Sequence, residues 1–296
     1  MSASPATDIT SLCDAIDRMS VQEITPIACS AMRDDDCSVV SWTATPMMTD
    51  SIGIGTIGFV HVRGTTSTST SQTDWSAVVK AKQMDGADKL GGVQGIMASP
   101  TREVGAFESG FLEQLDGDLR AVSFHGITRI GKTTLLWMDD LSDSAPHPWG
   151  TDEFLAASRQ TGYFNGSWPE SRAPEFEWLD RNFVTNRPAA LIRSDFFEQL
   201  NDPSADDAIA DLTERSGTTR ISGLYGGYRT ITESLIGLPK VVCHNDLHAR
   251  NAFIRYQDQK LRTYVIDWAS VGLGPVGVDG GTIIGEQPIG ARTRPC

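Results

Sequence analysis

Two histidines, two asparagines, an aspartate and an arginine crowd into "VVCHNDLHARNAFIRY", residues 241–256, between two apolar runs. A strand built for burial would not carry such side chains, because each polar group buried without a partner costs roughly 1–3 kcal/mol. The spacing offers two kinds of chemistry. His244, Asp246 and His248 alternate, so on an extended chain they would share one face, as metal ligands do. The same stretch also reads His-x-Asp-x-x-x-x-Asn, which sets a carboxylate five residues before an amide.

The residues that follow favour the second pattern. After Asn251 come "AFIRY", a polar turn "QDQK" and "LRTYVIDW", a hairpin pattern that leaves Asp267 just past an apolar strand. Asp246 precedes the hairpin and Asp267 follows it, so its strands can hold two carboxylates and the Asn251 amide around a common point. Carboxylate and amide oxygens suit a hard cation such as Mg²⁺ bridging phosphates better than they suit zinc.

This arrangement resembles the catalytic loop and metal aspartate of the protein-kinase-like fold, in its aminoglycoside phosphotransferase and choline kinase branch, where His-x-Asp-x-x-x-x-Asn is followed by Ile-Asp-Trp or Ile-Asp-Phe. "HNDLHARN" and "IDW" match position by position. The resemblance implies that Asp246 accepts or orients a hydroxyl proton and that Asn251 and Asp267 hold Mg²⁺ against the phosphates of ATP.

Elements that could position a nucleotide lie in the first half, in the order the resemblance requires. "GIGTIGFV" sets Gly53, Gly55 and Gly58 as Gly-x-Gly-x-x-Gly between two strands, where a Rossmann turn would instead open a helix. "SAVVKAK" places Lys80 inside an apolar strand, a costly position for an unpaired ammonium, and alternation points Lys82 to the same face. Ser99 and Pro100 mark a helix start, and Val104, Phe107, Phe111 and Leu115 predict a helix over 100–115 that carries Glu103 on its apolar face. A buried Glu103 needs a cation and Lys80 needs an anion; in the family such a pair orients the α- and β-phosphates. "LLWMDDL" resembles the hinge segment, implying that the backbone from Met138 through Asp139 to Leu141 takes the adenine edge.

The periodicity gives the frame. "CSVVSWTATPMM", "GFVHVRG", "WSAVVKAK", "LRAVSFHGITRI" and "TTLLWMDDL" read as strands, "TTSTSTSQTD" as an exposed hairpin loop, and Gly131-Lys132 as a tight turn. From 151 to about 238 the pattern is helical, in "TDEFLAASRQTGYF", "EFEWLDRNF", "RPAALIRSDFFEQL" and "RISGLYGGYRTITESLIGL", before β character returns at 241. The expectation is an α+β, two-lobed kinase-like fold: a β-rich nucleotide-binding lobe over 1–142, a hinge near 139–150, and a mainly helical lobe over 143–296. The resemblance spans roughly 45–281; "TGYFNGSW" and "GPVGVD" resemble segments of bacterial members, and Asp279 lies where the family has a structural aspartate. The tail "GEQPIGARTRPC" has little helical pattern and reads as an early end to the acceptor lobe.

Composition narrows the partners. A chain of 296 residues with 40% hydrophobic content can bury a sizeable core, and no apolar run approaches the roughly 20 residues a membrane span needs. The formal charge of −13 disfavours nucleic acid, since phosphate neutralisation needs a basic face; it suits an aminoglycoside-like or other cationic acceptor but names none, and choline, sugars and other antibiotics stay open. Five scattered cysteines with no Cys-x-x-Cys predict neither disulfides nor a zinc knuckle, and fit a reducing cytoplasm.

Three rivals remain at this level. "GITRIGKT", residues 126–133, fits the P-loop pattern, which requires a helix immediately after it. A zinc hydrolase would use His244, Asp246 and His248. A kinase-like protein that binds nucleotide without turnover would keep every motif except an adequate acceptor pocket.

Overall fold

The computed structural model describes residues 9–48, 55–68, 71–83, 99–145, 147–185, 227 and 230–285. Gly53, the segment "RPAALIRSDFFEQL" and the tail after 285 lie outside the described residues. The α+β expectation holds. A five-stranded antiparallel sheet runs in the order β1-β2-β3-β6-β5, from β1 (Ser38–Met47), β2 (Thr56–Ser67), β3 (Gln72–Gln83), β5 (Phe124–Ile130) and β6 (Thr133–Asp139).

Strand alternation divides β3 into two chemistries. Trp75, Ala77, Val79 and Ala81 enter a core with Val60, Val62, Leu135 and Trp137, closed on one face of the sheet by α1 (Ile9–Asp17) and α2 (Val21–Met32). Lys80 and Lys82 therefore fall together on the other face. The two N-terminal helices had no counterpart among the expected elements, although Leu12, Cys13, Ile16, Ile24, Ile27 and Ala28 are buried at helical spacing. A Ser20/Glu23 capping box starts α2, with the Ser20 amide donating to Glu23 Oε2 at 2.8 Å. The Cys29–Cys37 disulfide links α2 to the approach to β1, which corrects the expectation of wholly reduced cysteines; the sequence signal was only a pair eight residues apart.

Three expected boundaries shift. The helix read over 100–115 is α3 (Pro100–Glu108); Gly110, at φ 68°, stops it, and Leu112–Gln114 continues as a single 3₁₀ turn that still buries Phe111 and Leu112. Ser99 makes no side-chain cap, its hydroxyl lying 2.6 Å from that of Thr101. The hairpin loop after β2 is also shorter than expected, since pairing runs to Ser67↔Gln72. "LRAVSFHGITRI" is two strands in two sheets: β4 (Leu119–Ala121) pairs in parallel with β9 (Lys260–Val265), and β5 joins the large sheet.

Below the sheet, β8 (Ala252–Gln257) and β9 form the expected hairpin, turning at Asp258 and Gln259, both at positive φ as a two-residue turn of this hand requires. A second core joins this hairpin to α3, to α4 (Thr151–Ser167) and to the pair β7 (Lys240–Cys243) and β10 (Gly272–Pro275), with Phe164, Val242, Leu247, Ile254, Val265 and Trp268 at its centre. The last described helix is α5 (Val278–Gly285). "EFEWLDRNF" is largely irregular rather than helical. Phe176 and Trp178 stack at 5.0 Å and lie against Phe111, and Asp180 bridges Gly272, so tertiary contacts override the helical pattern there. No described helix is long and apolar enough to cross a membrane.

Candidate active site

The strand ends converge on a cleft of about 430 Å³ lined by Asp246, His248, Arg250, Asn251 and Asp267 below, by Phe59 and Val78 above, and by Met138, Asp139, Asp140 and Leu141 along one side. Asp246, Asn251, Asp267 and the hinge residues anticipated from the sequence thus meet in one place.

The loop from 244 to 251 is held from beneath. Asp279, fully buried, accepts from the backbone amides of His244 at 2.9 Å and Asn245 at 2.8 Å and from Asn165 Nδ2 at 2.9 Å. Asn165 also donates to the carbonyl of Val242, and Asn245 Nδ2 donates to that of Ser270. Asn245 sits at φ 64°, a left-handed conformation that asparagine tolerates, and this sharp corner aims Asp246 into the cleft. Asn165 was not recognised as a site residue; its only signal was its place in "TGYFNGSW".

His244 is a brace. Its Nδ1 accepts from the Asp246 amide at 3.3 Å and its Nε2 meets the Ile266 carbonyl at 2.9 Å, which fixes the Nε2–H tautomer and ties the loop to the hairpin's far end. The ring packs edge-on against Trp268 at 4.8 Å. With both nitrogens engaged, His244 is no zinc ligand, and no cluster of three potential ligands occurs among the described residues.

Asn251 donates through Nδ2 to the Asp246 carbonyl at 2.9 Å and to Asp246 Oδ2 at 3.2 Å, so its amide oxygen is the atom left to meet a cation. The Asp246 side chain is 38% exposed toward the cleft. Asp267 takes a left-handed conformation, φ 62°, two residues past the end of β9, and its Oδ1 lies 2.7 Å from Lys80 Nζ.

Lys80 is the junction of the site. It reaches Glu103 Oε1 at 3.0 Å and Oε2 at 2.9 Å as well as Asp267, and only 1% of it is exposed. Burial opposes its charge, but Glu103 and Asp267 outweigh burial and raise its pKa. Burial likewise disfavours ionised Asp267, yet Lys80 and Lys82 prevail and hold it down at about 2. Glu103 is fully buried, so the pairing expected from the sequence is present, and an exposed Glu103 serving only the helix dipole is excluded. Lys82, on the same face, also contacts Glu103 Oε2, and burial lowers its pKa.

The loop after Asp267 is fastened to α3. Arg102 donates through Nη1 to the Ala269 carbonyl at 2.8 Å and through Nε to that of Trp178 at 3.1 Å, and the Ser99 amide reaches the same Ala269 carbonyl. Adjacent residues of one helix thus secure both Lys80 and the Asp267 loop. Sequence reasoning missed Arg102, which has no local signal.

The carboxylates of Asp139 and Asp140 also have anchors that were not anticipated. Asp139 Oδ1 meets His125 Nε2 at 2.8 Å, Asp140 Oδ2 meets His61 Nε2 at 2.7 Å, and Arg255 donates to the Asp140 carbonyl. Burial works against both charges, but hydrogen bonds, led by that from His125 to Asp139 and that from the Ser142 amide to Asp140, outweigh it and lower both pKa values. Of the glycines, Gly55 turns at φ 71° before β2, whereas a Cβ on Gly58 would lie 2.8 Å from Ile9 Cδ1, so packing against α1 is what Gly58 permits. The P-loop reading is overturned: after Gly131-Lys132 the chain continues as β6, and no helix opens to receive a phosphate.

Residues 165–294 match the model of the phosphotransferase enzyme family. That stretch carries Asn165, Asp246, Asn251, Asp267 and Asp279, and the family recognised from the motifs is the one it matches. No curated protein sequence matches the chain. Among solved structures, similarity extends to an aminoglycoside-3'-phosphotransferase of type VIII, at 16% identity over 88% of this chain and 83% of that one, with a TM-score of 0.44. An aminoglycoside phosphotransferase from Streptomyces rimosus, in complex with ADP and streptomycin, is 13% identical over 90% and 83%, with a TM-score of 0.46. A microcompartment-associated aminopropanol kinase is 14% identical over 94% and 74%, with a TM-score of 0.40.

Proposed function

We propose that this protein is a phosphotransferase that uses ATP and Mg²⁺ to phosphorylate a hydroxyl group of a small molecule, with 1–142 as the nucleotide-binding lobe. The observation that carries the reading is the joint geometry: buried Lys80 ties buried Glu103 to Asp267, which lines the cleft, and Asp246, fixed by Asn251, lines the same cleft.

Asp246 takes the acceptor's proton as the hydroxyl oxygen bonds to the γ-phosphorus and the bond to the β,γ-bridging oxygen breaks, leaving ADP. Its orientation comes from Asn251 Nδ2 and from the His244 and Asp279 bracing beneath. Lys80 faces the α- and β-phosphates, and the hinge from Met138 to Leu141 faces the base. The donor set fits Mg²⁺: Asp267 supplies carboxylate oxygen and Asn251 an amide oxygen whose nitrogen is already committed. When bound there, the cation would neutralise charge on the β- and γ-phosphate oxygens.

Among acceptors, the charge of −13 and the acidic hinge favour a cationic, hydroxylated compound of the aminoglycoside kind. The test compares Asp246→Asn with Asp267→Asn by calorimetric titration with Mg²⁺-ATP. Asp246→Asn should bind like wild type and lose turnover, and Asp267→Asn should lose binding itself; normal binding and turnover in both would remove the site.

A further inference from the structure

Lys82 is a buried cation that the proposed reaction does not use. Both lysines are buried behind the cleft lining, but Lys80 contacts Asp267, which lines the cleft, whereas Lys82 contacts Glu103, which does not. Its Nζ nevertheless contacts the same Glu103 oxygen that Lys80 approaches at 2.9 Å. Lying two residues apart on β3, both lysines reach from one face of the sheet to a single carboxylate on α3.

Charge balance explains why two are present. Lys80 and Lys82 face Glu103 and Asp267, two cations against two carboxylates, and the first three of these side chains are almost wholly enclosed. If Lys82 were absent, Lys80 would be the sole cation for both carboxylates, and turning it toward phosphates would strand Glu103 as an uncompensated buried charge. With Lys82 in place, Glu103 keeps a partner whatever Lys80 does.

We infer that Lys82 is a positioning residue that holds Glu103 and thereby releases Lys80 to serve the nucleotide phosphates. The second half rests on the nucleotide reading above; the first half does not. The balance makes a sharp prediction for Lys82→Met and Glu103→Gln. Each single substitution leaves one buried charge without its counterpart, whereas the double variant leaves Lys80 matched by Asp267.

The experiment is a double-mutant cycle on the full chain, read as melting temperature without ligand and as Kd for Mg²⁺-ATP. Each single variant should melt lower than wild type and the double variant higher than either. Kd should weaken about tenfold in Lys82→Met, where Lys80 is pinned, and recover most of that loss in the double variant. An insoluble Lys82→Met beside a soluble double variant would be the same result in stronger form. Additive melting losses, insolubility of both variants, or a wild-type Kd in Lys82→Met would overturn the inference. A wild type that fails to bind Mg²⁺-ATP would sink the nucleotide reading, and the ligand-free cycle would still decide whether Lys82 holds Glu103.

Discussion

Asp279 lies beneath the loop over 244–251 and lines no part of the cleft, so replacing it separates support of that loop from the proposed chemistry. Its carboxylate is fully buried and accepts three hydrogen bonds, from the amides of His244 and Asn245 and from Asn165 Nδ2, at 2.8–2.9 Å. Asp279→Ala leaves three enclosed donors without that acceptor. At roughly 1–3 kcal/mol for each orphaned group, with entering water and local adjustment recovering part, the expected loss is about 3–5 kcal/mol. Against a typical stability of about 5–15 kcal/mol this is a large fraction. Urea unfolding followed by tryptophan fluorescence measures it, and buried Trp268, 4.8 Å from His244, reports on the loop itself. Asp246→Ala, whose side chain is 38% exposed, serves as the comparison and should cost under about 1 kcal/mol. A loss under about 1 kcal/mol for Asp279→Ala as well would show that the loop does not rest on this carboxylate, and the bracing argument would fail.

Acid should expose the Lys80–Asp267 pair. Because folding holds the Asp267 pKa at about 2, below its ordinary 3.8, the pair's stabilisation is complete above about pH 4 and lost as pH falls toward 2; Asp267→Asn should flatten that part of a stability-against-pH curve, and an unchanged curve would contradict the pairing. Lys80→Ala should weaken Mg²⁺-ATP binding at least about tenfold by calorimetric titration while Lys132→Ala leaves it unchanged, and the reverse result would return the phosphates to the turn at 131–132.

Much of the site was legible because its residues contradict their surroundings. Lys80 stands in an apolar strand, Glu103 on an apolar helix face and Asp246 between apolar runs, and each mismatch requires a partner that the sequence also contains. The second lysine was visible by alternation, but that both converge on Glu103 depends on how α3 packs. Arg102, His61, His125 and Arg255 were illegible because each acts on backbone or carboxylates brought near only by folding. The helix read over 100–115 failed because the apolar period continues past Gly110 while the backbone turns there. "EFEWLDRNF" failed because stacked aromatics and the Asp180 bridge prevail over local preference.

The central claim is phosphoryl transfer to a hydroxyl with Asp246 as the proton acceptor. Its most direct measurement is ³¹P NMR of wild type and Asp246→Asn incubated with Mg²⁺-ATP and a panel of hydroxylated amines, sugars and aminoglycosides. The geometry predicts a new phosphomonoester resonance with at least one acceptor for wild type and none for Asp246→Asn. Equal product from both proteins, or ATP that stays intact across the whole panel, would contradict it.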